Sequence, residues 1–363
     1  MHGTHGFTGT MRHAVLSATI LACTLGAVDA AASTAAAQAP KWHKLELKKF
    51  GSFFVGGRDQ AVPYRSGRFI SSTYEQPDVV KVDQMYVQYM IPEDQKHKFP
   101  VIFAHGAWHT GKTWEETPDG REGWVNYFAF KGFATYWVDK PWRARSAFSA
   151  QTIDAVARGD SAPSTLPNIY ITGQQGWTAF RFGPAIGVAN PGVLFPLDAV
   201  DEYYKQLVPD FSAWLRNSPV AQTYPQMTAD ADALLERVGP AVYIGHSQGG
   251  AEIPGIVRAR PDPHLFAAAI SVEGGSCPPV ADAPLYKQIP FLYVTGDFTN
   301  PPANCEPFVA ALTALGGIGT NLHLPDIGID GNDHMMMLDK NNLQVAQVLI
   351  DWIEKNVEGK HGK

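Results

Sequence analysis

Apolar residues recur along this chain in short runs whose lengths and flanks separate strands from helices. Phe99–Ala104, Ala134–Val138, Ala241–Ile244, Ala267–Val272 and Phe291–Thr295 are each four to six residues long and largely apolar. Runs of this kind predict strands buried on both faces. Leu45–Val55 reads as mostly extended, and Met85–Ile91 alternates apolar with polar residues until Pro92, as an opening pair of strands would. A short run at Leu322–Leu324 closes the series. Between the strands the period becomes helical. Trp124, Tyr127, Phe128 and Phe130 share one face of a segment that stops at Lys131-Gly132, and Leu343, Ala346, Ile350, Ile353 and Val357 share one face of Asn342–Val357. This alternation predicts an α/β fold with a mostly parallel central sheet flanked by helices.

The rhythm breaks between Ser146 and about Thr228, where one helix would suffice to join two strands. The stretch is rich in aromatic residues: Tyr170, Trp177, Phe180, Phe182, Phe195, Tyr203, Tyr204, Phe211 and Trp214. One helix is expected in it, at Leu197–Leu207. Connections this long in compact domains usually serve as lids. A cap-like insertion at about 147–227 is therefore expected, either closing an apolar pocket over the site or covering a sheet edge.

Residues 1–39 follow another logic. Arg12 precedes an apolar run from Ala14 to Ala22, and small residues at A-x-A spacing follow, as in Ala35-Ala36-Ala37. That is the pattern of a secretory signal peptide, which makes 40–363 a single domain of a secreted or periplasmic protein. Ile20-Leu21-Ala22-Cys23 only loosely resembles a lipoprotein acylation site. No segment reaches the roughly 18 apolar residues of a membrane span.

Composition narrows the partners more than the fold. With 363 residues, 45% hydrophobic and 18% charged, the chain can bury a substantial core. Its net charge of −6, with no block of Lys or Arg, offers nothing to nucleic acid or an anionic membrane surface. A small-molecule substrate is the natural partner. Beyond the signal the cysteines are Cys277 and Cys305. In an oxidising compartment they are a disulfide candidate, worth about 3 to 4 kcal/mol in the chain-entropy model.

The chemistry is concentrated at Gly245-His246-Ser247-Gln248-Gly249-Gly250. A strand, a G-x-S-x-G turn and a helix form a nucleophile elbow, in which Gly245 and Gly249 leave room for a tight turn that lifts one hydroxyl above the sheet. The next helix points its N-terminus at that hydroxyl. Serine needs an imidazole as base and an acid to orient it, in the chain order Ser, acid, His. His264, His323, His334 and His361 follow Ser247, and His334, in the loop after the last strand, is the best placed. Glu273 and Asp297 both end strands, so both remain candidates for the acid. Oxyanion donors are expected from the N–H of Gln248 and from Ala107 or Trp108, in the loop His105-Gly106-Ala107-Trp108. His105 and His246 read as structural hydrogen-bonders. A metal site has little support, since His105 and His109 fall on a loop and Asp326, Asp330 and Asp333 suit a solvated loop.

These features together resemble the α/β-hydrolase fold. More narrowly, Gly51–Gly57, Thr113-Trp114-Glu115, Pro118–Trp124 and Gly331-Asn332-Asp333-His334-Met335 resemble a small group of secreted bacterial serine esterases. The resemblance covers most of the mature chain. It implies a carboxylesterase without metal or organic cofactor, and it favours Glu273 over Asp297, because the acid of that group is a glutamate after the sixth strand. The site expected is then Ser247, His334 and Glu273, with Ala107, Trp108 and Gln248 around the oxyanion. Two other readings stay open: a hydrolase of large apolar esters (lipid or polyester), and a non-catalytic binding protein retaining the fold.

Overall fold

In the computed structural model, eight strands form one sheet: β1 (Leu47–Val62), β2 (Asp78–Pro92), β3 (Val101–Ala104), β4 (Thr135–Asp139), β5 (Ala241–His246), β6 (Phe266–Val272), β7 (Phe291–Thr295) and β8 (Gly319–His323). Their order is β1-β2-β4-β3-β5-β6-β7-β8. β1 pairs antiparallel with β2 and β2 with β4, and every other neighbour is parallel. The structure describes residues 42–62, 78–146, 151–166, 170–210, 225–260, 262, 264–298 and 305–359. The expected signal peptide, and Phe211 and Trp214 of the insertion, lie outside them.

Alternation along the buried strands feeds two apolar layers. Val101 and Phe103 of β3, Val242 and Ile244 of β5, and Leu292 and Val294 of β7 enter one core, with α1 (Trp124–Phe130) and the terminal helix Asn342–Asn356. Ile102, Tyr243, Phe291 and Tyr293 point to the other, under Pro225–Val238 and Gln248–Ala259. Each such fully buried large side chain contributes about 1.5 to 3 kcal/mol. Covering both faces also leaves the carboxyl ends of the strands as the place where loops can gather.

The opening hairpin is longer than its apolar pattern predicts. Pairing runs on through Arg58↔Val82, Asp59↔Lys81 and Gln60↔Val80. These turns of the ladder carry polar side chains, including a cross-strand Asp59–Lys81 ion pair. Backbone pairing needs no hydrophobic face once its register is set, so the extension left no signature in the pattern.

Between β4 and β5 the described residues include three short helices, α2 (Gln151–Ala157), α3 (Gly173–Ala179) and α4 (Val200–Tyr204), the last preceded by a 3-10 turn at Leu197–Ala199. The helix expected at Leu197–Leu207 is thus shorter and begins as a tighter turn. Trp177, Phe180, Phe182, Phe195 and Tyr203 are buried in the first core, with Phe182 stacked on Phe195 at 3.9 Å. These aromatics act as core, and they are not spread over a surface. α5 (Pro225–Val238) precedes β5, and α6 (Gln248–Ala259), α7 (Glu306–Ala314) and α8 (Asn342–Asn356) follow it. Cys277 and Cys305 form a disulfide with Cα atoms 5.3 Å apart.

Candidate active site

Ser247 sits between β5 and α6 with φ 52° and ψ −115°. A non-glycine residue in that region is strained and is held there by its surroundings. The turn is close on both sides. A Cβ on Gly245 would lie 2.3 Å from the Gly249 carbonyl oxygen, and one on Gly249 would lie 2.6 Å from the Ala104 carbonyl oxygen. The two flanking glycines are therefore steric requirements of the elbow. The Ser247 N–H donates to the Val272 carbonyl at 2.9 Å, which ties the elbow to the neighbouring strand.

Glu273 ends that neighbouring strand, also at positive φ (51°). Its Oε1 accepts from the Gly296 N–H at 2.7 Å, and its Oε2 lies 3.5 Å from Nδ1 of His334. Asp297 has a different place. Its two carboxylate oxygens accept from the N–H groups of Gly331 and Asn332, each at 2.9 Å, so it fastens the start of the loop that carries His334. The far side of that loop is gripped by Arg121, whose guanidinium donates to the carbonyls of Asp339 and Leu338, both at 2.8 Å. Asn332 Nδ2 and the Asp333 N–H both donate to Asp339. Asp333 is buried, contrary to the solvated loop expected, whereas Asp326 and Asp330 are exposed.

The other histidines near the elbow hold backbone. His105 donates from Nδ1 to the Gly106 carbonyl and accepts the Lys140 N–H at Nε2. His109 bonds the Ala107 carbonyl and the Tyr203 hydroxyl. His246 donates from Nε2 to the His334 carbonyl at 2.7 Å. Burial pushes all three well below the ordinary 6.5, His109 to about 4, so they stay neutral. Burial likewise pushes His334 down, while contact with Glu273 pulls it back up. For Glu273, burial acts upward but is outweighed by His334 and a guanidinium, leaving it at about 2.

A cleft of about 660 Å³ opens onto Ser247 and His334, and Ala107, Trp108 and Gln248 line it too. The structure thus brings five of the six expected residues to one cavity, with Glu273 behind His334. Of the two oxyanion donors expected on this loop, the Trp108 N–H already donates to Asp210, at 3.2 Å.

Behind the cleft lies an ionic network that sequence reasoning missed. Lys140 Nζ reaches Gln248 Oε1 at 2.8 Å and Glu252 at 3.0 Å, and Arg143 reaches the same Gln248 oxygen at 3.1 Å. Arg143 also pairs with Asp210, both fully buried. Burial pushes Lys140 down to about 8 and Glu252 up, each opposed by the other's charge. The network links both sides of the elbow, from the Gln248 side chain through Arg143 and Asp210 to the Trp108 N–H. Lys140 and Arg143 stood in the sequence as cations after an apolar strand and so required buried carboxylates; nothing in the sequence pointed to Asp210 as one. Arg143→Met is expected to lower stability by about 3 to 5 kcal/mol, because Asp210 would keep its charge without its main partner. In urea unfolding, Arg143→Met with Asp210→Leu should recover much of that loss; a single variant as stable as wild type contradicts the account.

A mostly parallel sheet with a serine elbow, a histidine loop after the last strand and a cleft at the strands' carboxyl ends defines an α/β hydrolase. No family model matches the chain. A bacterial esterase of known structure is 38% identical, covers 88% of this chain and 99% of its own, and superposes with a TM-score of 0.79. The probable secreted lipase phiG of a fungus (Fungal sp., strain ATCC 74256) is 27% identical over 330 residues, 75% of this chain and 86% of its own. The chain belongs to the α/β-hydrolase esterases, the family of that bacterial enzyme, and is a carboxylesterase-type hydrolase.

Proposed function

We propose that this protein hydrolyses carboxylic esters by a Ser-His-Glu mechanism. Ser247 Oγ attacks the ester carbonyl carbon while His334 takes the hydroxyl proton. The oxyanion is held by backbone N–H groups of Ala107 and Gln248, the latter at the N-terminus of α6. The C–O bond to the alcohol breaks and His334 returns the proton to that leaving group. Water then attacks the acyl carbon, gives a proton to His334, and the acid departs as Ser247 regains its own. Glu273 orients His334 and stabilises its cation. One observation carries the reading: Ser247 and His334 share one cleft, and a buried carboxylate touches His334 from the side away from it.

Small esters are the substrates this reading prefers, because the cleft offers little apolar surface to a long acyl chain. Its walls include Ala179, Ala251, Gly255, Gly274 and Gly275, with polar Thr228, Glu252 and Arg258, and its large apolar side chains are few. The name of the fungal relative favours the second reading, a lipid ester. A chromogenic panel from acetate to palmitate separates them. Acetate or butyrate is expected to have the highest kcat/KM, with no jump in rate when a long ester aggregates; preference for palmitate with such a jump selects the lipid. A serine-directed phosphonate should add its mass to the peptide that contains Ser247, and labelling elsewhere overturns the nucleophile.

Export follows from the same reading. The first 39 residues act as a signal peptide, 40–363 fold as the enzyme with 147–227 as its cap, and the Cys277–Cys305 bond forms in an oxidising compartment. Among the described residues no helix is long and apolar enough to cross a membrane.

The base dictates the pH profile. Activity requires neutral His334, and burial holds its pKa below 6.5. The acid limb of kcat/KM should therefore have its midpoint below pH 6.5. A midpoint at or above pH 6.5 contradicts this.

A further inference from the structure

We propose that Arg181, a residue of the insertion, is a positioning residue for the acid–base pair, reaching between Glu273 and His334 so that the pair works in a mildly acidic medium. The proposal rests on the Ser-His-Glu reading and adds a fourth side chain to it. Arg181 NH1 donates to Glu273 Oε2 at 2.6 Å and lies 3.1 Å from His334 Nδ1. Both contacts are shorter than the 3.5 Å between the carboxylate and the imidazole themselves. The guanidinium therefore shares the one carboxylate oxygen that faces the base.

Its backbone is built for this. Arg181 has φ 67°, a left-handed conformation that costs a non-glycine residue energy and marks a constrained position. Asn190 Nδ2 donates to the Arg181 carbonyl at 2.8 Å, and the neighbouring Phe180 carbonyl accepts the His334 N–H at 3.3 Å. The insertion thus binds the histidine loop through backbone and the acid through a charge. Arg181 does not line the cleft that holds Ser247.

The consequence for chemistry follows from the charges around His334. Glu273 faces it from the end of β6, Arg181 from the insertion, His246 from the end of β5 with ring centroids 4.7 Å apart, and His109 from the loop after β3, while Asp333 precedes it in its own loop. His246 and His109 are held neutral by burial, and burial also pushes Asp333 up, towards its uncharged form. Arg181 is then the cation in contact with His334 among the described residues. A neighbouring cation disfavours imidazolium, so the base stays free of protons to lower pH. The same cation keeps Glu273 ionised over that range.

The test is the kcat/KM profile of Arg181→Met and Arg181→Lys on a soluble short-chain ester between pH 4.5 and 8. With Met, the acid midpoint is expected to rise by about one pH unit, giving a loss of about tenfold at the low end and no more than about threefold at pH 8, with KM unchanged. Lys should restore most of the shift. A Met midpoint equal to wild type overturns the proposal, as does a loss of equal size at every pH, which is what a merely structural residue would show. Should Arg181→Met fold poorly, NMR titration of His334 in the folded Arg181→Lys and wild-type proteins supplies the decision: a wild-type midpoint at or above 6.5 overturns it. Failure of the esterase reading is separate and visible, because Ser247 would then escape phosphonate labelling in the wild-type protein.

Discussion

Ser247→Ala should lower kcat/KM for every ester the protein cleaves by at least about 10⁴-fold, leaving only the background that an oxyanion site and binding can supply. The variant should fold normally. The Ser247 N–H bond to Val272 and the helix that follows do not depend on the hydroxyl, and Ala occupies the same volume less one oxygen. Ser247→Gly should be as inactive and also more stable, by about 1 kcal/mol, since φ 52° with ψ −115° is strained for any residue with a Cβ. The two variants together separate chemistry from strain: thermal unfolding ranks Gly above Ala and wild type, while ester cleavage ranks wild type far above both. Turnover within tenfold of wild type in either variant removes Ser247 as nucleophile. A Gly variant less stable than Ala would mean that the elbow is held without strain.

What could be read from the sequence was what depends on local patterning. The buried strands announce themselves because both faces are covered, so nearly every residue from Ile102 to Ala104 or Val242 to Ile244 is apolar. The elbow is legible because its glycines are steric necessities of a turn made by consecutive residues. The histidine loop follows from strand order alone. The residues that escaped are those whose roles depend on contacts far along the chain. Arg181 meets Glu273 across 92 positions and Asp210 meets Trp108 across 102, and nothing near either residue marks it. The aromatics of the insertion were ambiguous for a related reason: composition cannot say whether Phe182 and Phe195 face a substrate or each other, and they face each other in a core. Likewise Asp333 looked like one of three solvated acids, and only the folded loop, with Arg121 and Asp339 gripping its far side, shows why it is buried.

The acid is the part of the proposed triad for which local pattern left two candidates, and a pair of conservative substitutions should separate them. Glu273→Gln is expected to lower kcat by about 10² to 10⁴-fold with little change in KM, because a neutral amide can neither stabilise imidazolium nor reliably select its tautomer. Its carbonyl can still accept the Gly296 N–H, so the end of β6 keeps its anchor. Asp297→Asn should behave otherwise. One amide oxygen cannot replace two carboxylate oxygens that each accept a backbone N–H, so either Gly331 or Asn332 faces an NH₂ group and the loop loosens. The expected cost is about 1 to 3 kcal/mol of stability and less than tenfold in kcat, as the loop still delivers His334 when folded. The dependence on pH sharpens the contrast. Glu273 is held at about 2, so it remains charged throughout any working range, and its contribution to stability is present above the ordinary carboxylate pKa and lost as pH falls towards 2. The Gln variant should therefore lose the acid sensitivity due to this group, whereas the Asn variant should keep it. If Asp297→Asn removes activity and Glu273→Gln keeps it, the orienting acid lies on β7, and the 3.5 Å contact between Glu273 and His334 has another purpose.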